Sequence, residues 1–140
     1  MKSDIEIAKW VYRNIKGSEL ATAVTGKLSD RGRPAGSTLE DIVVSVLAND
    51  GSGDSQTAFV NVNVYVSDLW NSNTKAWERD TIRVGELCEL SKSLFTLFGG
   101  DFRVVPKQSS QRVLPTGVTF EDGHTEHFIN NKLFIKISND

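Results

Sequence analysis

From Ala58 to Val66 the chain alternates without a slip, with Ala58, Val60, Val62, Val64 and Val66 at even positions and Phe59, Asn61, Asn63 and Tyr65 between them. Successive side chains on a β-strand leave opposite faces, so the valines share one face and the asparagines the other. The segment predicts a half-buried strand whose valine face needs a cover. Strands of parallel sheets are buried on both faces and read as continuous apolar runs. Clean alternation therefore points to an antiparallel sheet with one face open.

With 140 residues, the chain fits a single domain, residues 1–140, able to bury roughly 65–70% of its unfolded surface. Hydrophobic residues at 39% and charged residues at 24% suit a globular chain rather than a disordered one. One cysteine, Cys88, rules out an intramolecular disulfide framework. Sixteen basic and 18 acidic residues leave a net charge of −2, so no global field draws the chain to DNA or to an anionic membrane. The apolar runs fall far below the ~18–20 residues that span a bilayer. Charges at Glu6 and Lys9 interrupt the N-terminal segment, which predicts no signal peptide and a cytoplasmic location.

Ser3 and Glu6 form an S-x-x-E capping box ahead of Ile5, Ala8, Val11, Tyr12 and Ile15, the spacing of one helical face. Ile7 and Trp10 lie off that stripe, and Gly17 supplies the stop. Leu20 to Leu28 reads as a short strand, Ser29 to Thr38 as a mobile Gly/Ser/Pro loop, and Asp41 to Ala48 as a strand. Asn49 to Asp54 is a turn cluster. A long helix is expected from about Thr74 to Phe98, with Trp77, Val84, Leu87, Cys88, Ser91, Leu94, Phe95 and Phe98 on its apolar stripe as the cover for the valines. Gly99-Gly100 ends it. Strands follow at Phe102 to Val105, about Gln108 to Leu114 and about Thr125 to Ile137, with Glu121-Asp122-Gly123 as a hairpin turn and Pro106 and Pro115 at strand ends. The expected fold is α+β, a mostly antiparallel sheet of four to five strands with two helices packed on one face.

Catalytic chemistry finds no foothold. His124 and His127 stand three apart on a strand, which sends them to opposite faces, unlike the i, i+4 pair of a helical zinc site. Cys88 sits on an apolar helical stripe rather than in an electropositive, exposed setting. No Gly-x-Ser-x-Gly elbow or P-loop is present. These features predict a non-enzyme with no catalytic, metal or cofactor-binding residues and no cofactor. Arg31-Gly32-Arg33-Pro34 carries the Arg-Gly-Arg-Pro core of a minor-groove DNA hook, but the flanking basic residues that normally contact phosphates are missing apart from Lys27. A solvated loop is the better reading, with a small DNA-binding module as the alternative. Trp70, just after the alternating strand, is either an interface residue or packed over the start of the next helix.

The ordering of these segments resembles the tail-completion, or tail-terminator, proteins of long-tailed bacteriophages. The similarity runs from Ile5 to Ile137 through the basic loop with Arg33-Pro34, "EDIVVSVL", "TAFVNVNVYVSD", the polar turn "NSNTK", "ERDTIRVGELCELSKSLF" and "GHTEHFINNKLFIKI". It implies a structural protein whose copies form a homo-oligomeric ring, often a hexamer, that caps the tail tube and meets the head connector. It also implies a location in the bacterial host's cytoplasm during assembly and in the virion afterwards, with incidental DNA contact, no membrane and no cofactor. Candidate interface residues are Arg31, Arg33, Phe59, Asn61, Asn63, Tyr65 and Trp70, with the loops Ser29–Ser37 and Asn49–Gln56 as contact surfaces.

Overall fold

The computed structural model describes residues 1–52 and 54–139. In chain order the elements are α1 (Asp4–Ile15), α2 (Glu19–Ala23), β1 (Leu28–Ser29), β2 (Ile42–Ser52), β3 (Ser55–Ser67), β4 (Leu69–Asn71), β5 (Ala76–Glu78) and α3 (Thr81–Ser91). Then come β6 (Phe98–Gly99), β7 (Phe102–Val104), β8 (Ser110–Thr119) and β9 (Thr125–Ser138), with 3-10 turns at Lys92–Thr96 and Pro106–Gln108. The fold is α+β, as expected, but the sheet is larger than four to five strands and it is mixed. Seven strands run in the order β1-β2-β3-β9-β7-β6, with β8 also on β9. The pair β1–β2 is parallel, and the other pairings of this sheet are antiparallel. A separate two-stranded ribbon, β4–β5, stands apart.

β3 holds the centre. Its burial alternates from Gln56 onward, and Val60, Val62 and Val64 are fully buried. β9 pairs with it from Ser55↔Ser138 to Ser67↔Glu126, which puts Ile129, Leu133, Ile135 and Ile137 on the same inward face. Each fully buried side chain of this size contributes about 1.5–3 kcal/mol relative to exposure. The cover is shared. α1 lies against β2, and α3 against β3 and β9, so Ile7, Val11 and Ile15 join Val84 and Leu87 in one core with the valines.

The capping box is present, Glu6 N–H donating to Ser3 Oγ at 3.1 Å and Ser3 N–H to Glu6 Oε1 at 3.3 Å. The buried stripe of α1 is rotated from the expected one, since Ile7 is buried while Ile5 is exposed. Trp10 serves as a second contact, stacked on Phe102 at 4.9 Å. Of the strand expected from Leu20 to Leu28, only Leu28 lies in one, the two-residue β1. Ser18 caps a helix instead, its Oγ accepting from Ala21 N–H at 3.2 Å, so a local cap defeats the weak strand pattern of threonines and alanines.

The expected helix from Thr74 to Phe98 is too long at both ends. Asp80 caps α3 by accepting from Arg83 N–H at 3.1 Å, and upstream Lys75, with φ +53°, turns β4 into β5. Trp77 therefore sits on a strand opposite Trp70. Downstream the helix tightens into the 3-10 turn, leaving Phe98 in β6 and 78% exposed. β2 also continues through Asn49 and Asp50, where a turn was expected; position 53 of that cluster lies outside the described residues. Pro115 lies within β8 rather than at its end. β8 is an edge strand whose register breaks just after Pro115, and this tolerates a residue with no N–H.

Candidate interaction site

The odd-numbered face of β3 is neither open nor packed into the core. Phe59, Asn61, Asn63 and Tyr65 are each half-buried, and β9 supplies their partners: Phe134, Lys132, Asn130 and Phe128. Asn130 Nδ2 donates to Asn61 Oδ1 at 3.0 Å and to Asn63 Oδ1 at 2.7 Å. Phe59 meets Phe134 edge-to-face at 5.0 Å and carries Lys132 Nζ at 4.7 Å from its centroid. Tyr65 stacks on Phe128 at 5.8 Å. Cross-strand pairs of this kind contribute roughly 0.2–1 kcal/mol each. Parity identifies the β3 residues, but their partners on β9 depend on register.

Arg33 closes the Tyr65 end of this face. Its guanidinium lies 4.2 Å above the Tyr65 ring. Nε donates to Asp41 Oδ2 at 2.8 Å, Nη1 to both oxygens of Glu126 at 2.8 and 2.9 Å, and Nη2 to the Leu39 carbonyl at 2.9 Å. Asp41 and Glu126 are both buried. Burial alone would lower the Arg33 pKa, yet the hydrogen bonds and charges of Glu126 and Asp41 outweigh it, and the value is raised. Burial pushes the Asp41 carboxyl up, but bonds from Ser37 Oγ, Arg33 and the Lys27 N–H win and hold it below the usual carboxylate range. The 30–40 segment is thus pinned to the sheet, where a mobile loop was expected. The sequence separates the three charges and gave no sign that they meet. Arg31, two residues earlier, remains exposed.

A second cluster lies on β4–β5 and the β8–β9 hairpin. Trp70 is 52% exposed and Leu69 57%, and Trp70 meets Trp77 at 5.4 Å rather than packing over the start of α3. Trp77 approaches His124 at 5.9 Å, and His124 stacks on Phe120 at 4.2 Å. The two histidines face different partners. His124 contacts Asp122, while His127 Nδ1 lies 2.7 Å from Asp68 Oδ1, whose other oxygen accepts from Thr125 Oγ1 at 2.5 Å. No group of three or more metal-ligating side chains converges among the described residues. Burial raises the Cys88 thiol above its ordinary value, which disfavours a reactive thiolate.

The chain matches no family model and no curated protein.

Surface geometry has more to offer than any pocket. The 240 Å³ cleft beside His127 is lined by Trp77, Pro115, Val118 and Thr125, with a carboxylate–imidazole pair but, among the described residues, no hydroxyl or thiol hydrogen-bonded to that imidazole. A groove of 670 Å³ runs between α1 and β2, lined by Ile5, Ala8, Arg31 and Val43 to Val46. Beside it, β2 pairs with β1 only at Ile42 and Val43. From Val44 onward this edge has no strand partner among the described residues. Leu47, at the register shift between Val46 and Ala48, is 56% exposed. No helix among the described residues is long and apolar enough to cross a membrane.

Proposed function

We propose that this chain is a structural phage or prophage tail assembly protein, a ring-forming tail terminator that caps the tail tube and joins it to the head connector. The resemblance across Ile5 to Ile137 motivates the reading. The observation that carries it is the open edge of β2, flanked by the exposed Ile5 and Leu47. Long, partly apolar strand edges are normally covered or blunted, because they template pairing with another chain. The Leu69–Trp70 arm is a second exposed apolar patch on a different element. Two unlike patches suit head-to-tail contacts, which form a ring when the rotation between copies closes. In this reading the chain works as a homo-oligomer, such as a hexamer, in the host cytoplasm during assembly and in the virion afterwards, without cofactor or catalysis.

Light scattering on a sizing column, with and without the tail-tube protein, tests the proposal. A ring, or a monomer that oligomerises on the tube, is the expected result. A strict monomer that never engages the tube overturns it. The alternative, a DNA-binding module using the Arg31–Pro34 loop, draws on the exposure of Arg31. Arg33 enters that reading with its guanidinium already bound on three sides.

A further inference from the structure

We propose that the outward face of the sheet around β9 is a binding site for the phosphate backbone of nucleic acid, distinct from the Arg31–Pro34 loop and independent of the assembly reading. The face gathers cations that are scattered in sequence. Lys132 and Lys136 share the outward parity of β9, Arg103 of β7 pairs with Lys136, and Arg112 of β8 pairs with Asn130. Lys107 lies exposed in the 3-10 turn between β7 and β8. Arg103, Arg112 and Lys136 are exposed as well. None of the five makes an ion pair among the described residues. This concentration occurs in a chain whose net charge is −2.

The acidic groups nearby offset it in part, chiefly at the Arg103–Lys136 end, and leave Arg112 and Lys132 without a facing carboxylate among the described residues. Glu126 is neutralised by Arg33 and Asp101 is paired with Lys2. Asp50 stands two strands from Lys136 in the same cross-strand row, opposite Thr57, which is itself opposite Lys136, and Asp54 and Asp101 line the cleft at the Arg103–Lys136 end. The cations form a row rather than a pocket. At about 3.4 Å per residue, Lys132 and Lys136 stand roughly 13–14 Å apart along β9, with Arg112 and Arg103 on neighbouring strands about 5 Å to the side. A linear polyanion with regularly repeated charges fits such a row.

The asparagine cluster adds neutral donors. Asn130 Nδ2 donates to the carbonyl oxygens of both Asn61 and Asn63, which leaves the amide NH2 groups of Asn61 and Asn63 as the donors of this cluster, with no acceptor among the described residues. The aromatic residues of this face are already engaged: Phe59 with Lys132 and Phe134, Tyr65 with Arg33 and Phe128. Base stacking is therefore not the basis of recognition, and binding follows backbone charge without sequence preference.

The test is fluorescence anisotropy on the full chain with a labelled DNA duplex and its single strand, from about 50 to 200 mM salt. Poly-glutamate serves as competitor and circular dichroism as the folding control. The expected result is binding whose logarithmic salt slope on duplex is about −4, as four to five neutralised phosphates require. Arg103→Gln/Arg112→Gln/Lys136→Gln should keep the wild-type melting curve and lose affinity at least about tenfold, while Arg31→Ala should bind as wild type. No binding at low salt, wild-type affinity in the triple variant, or poly-glutamate displacing DNA at equal charge concentration overturns the proposal. The last outcome would assign the face to an acidic protein instead. None of these outcomes bears on ring formation, which light scattering reads separately.

Discussion

Arg33 Nη1 meets both carboxylate oxygens of Glu126, at 2.8 and 2.9 Å, across 93 positions of sequence. The pair joins the 30–40 segment to the outer end of β9, and Asp41 holds the same guanidinium from the start of β2. Two buried carboxylates thus share one cation. Deleting that cation leaves both uncompensated, which costs more than the pair contributes.

Arg33→Ala is accordingly expected to destabilise the protein by about 3–5 kcal/mol, read by urea unfolding at neutral pH. Arg31→Ala, two residues away and exposed, should fall within about 0.5 kcal/mol of wild type. Equal effects from the two substitutions would show that the clamp contributes nothing special.

The clamp also sets an acid limit. The folded Asp41 carboxyl titrates below its ordinary value, so its contribution is present above about pH 4, the unfolded value, and is lost as pH falls through the lower folded value. Melting temperature should drop on acidification across that window. In Asp41→Asn it should start lower at pH 7 and fall less steeply. An unchanged acid slope in the variant would exclude Asp41 as a source.

Gly26 and Gly85 should respond in opposite directions to alanine. A Cβ on Gly26 would come within 2.6 Å of the Glu40 carbonyl and closer still to Asp41 Oδ1, against the backbone and carboxylate that organise the clamp. Gly26→Ala should cost about 1–3 kcal/mol. A Cβ on Gly85, in α3, meets nothing within 4 Å, and Gly85→Ala should gain about 0.5–1 kcal/mol from helix propensity. Denaturant midpoints of both variants check the pair.

Trp70→Ala separates stability from assembly. Its edge-to-face contact with Trp77 contributes about 0.5–1.5 kcal/mol, so the monomer should remain folded by circular dichroism. Light scattering should show loss of the ring or of tube engagement. Wild-type assembly in this variant would remove the arm from the interface.

Local structure follows from the sequence where a periodic pattern runs long. The valine face of β3 and the Ser3–Glu6 capping box each follow from spacing along one segment, and the α+β class from helical and strand spacings in different segments. Where two local signals competed, the capping side chain prevailed. Ser18 made a helix of an expected strand, and Asp80 set the start of α3, leaving Trp77 to a ribbon with Trp70.

The strand from Ala58 to Val66 marks the boundary between the two kinds of information. Its alternation depends on backbone geometry alone and requires one apolar and one mixed face. What covers the mixed face is a matter of register and of chain returning from far away. Asn130 reaches Asn61 and Asn63 from β9, and Arg33 folds back over Tyr65 because two buried carboxylates hold it there. Lys132 and Lys136 show as a pair from their spacing, but Arg103 and Arg112 join them only through cross-strand pairing. Local patterns are set by residues a few positions apart, whereas charge clusters and partnered faces arise from contacts that no short window contains.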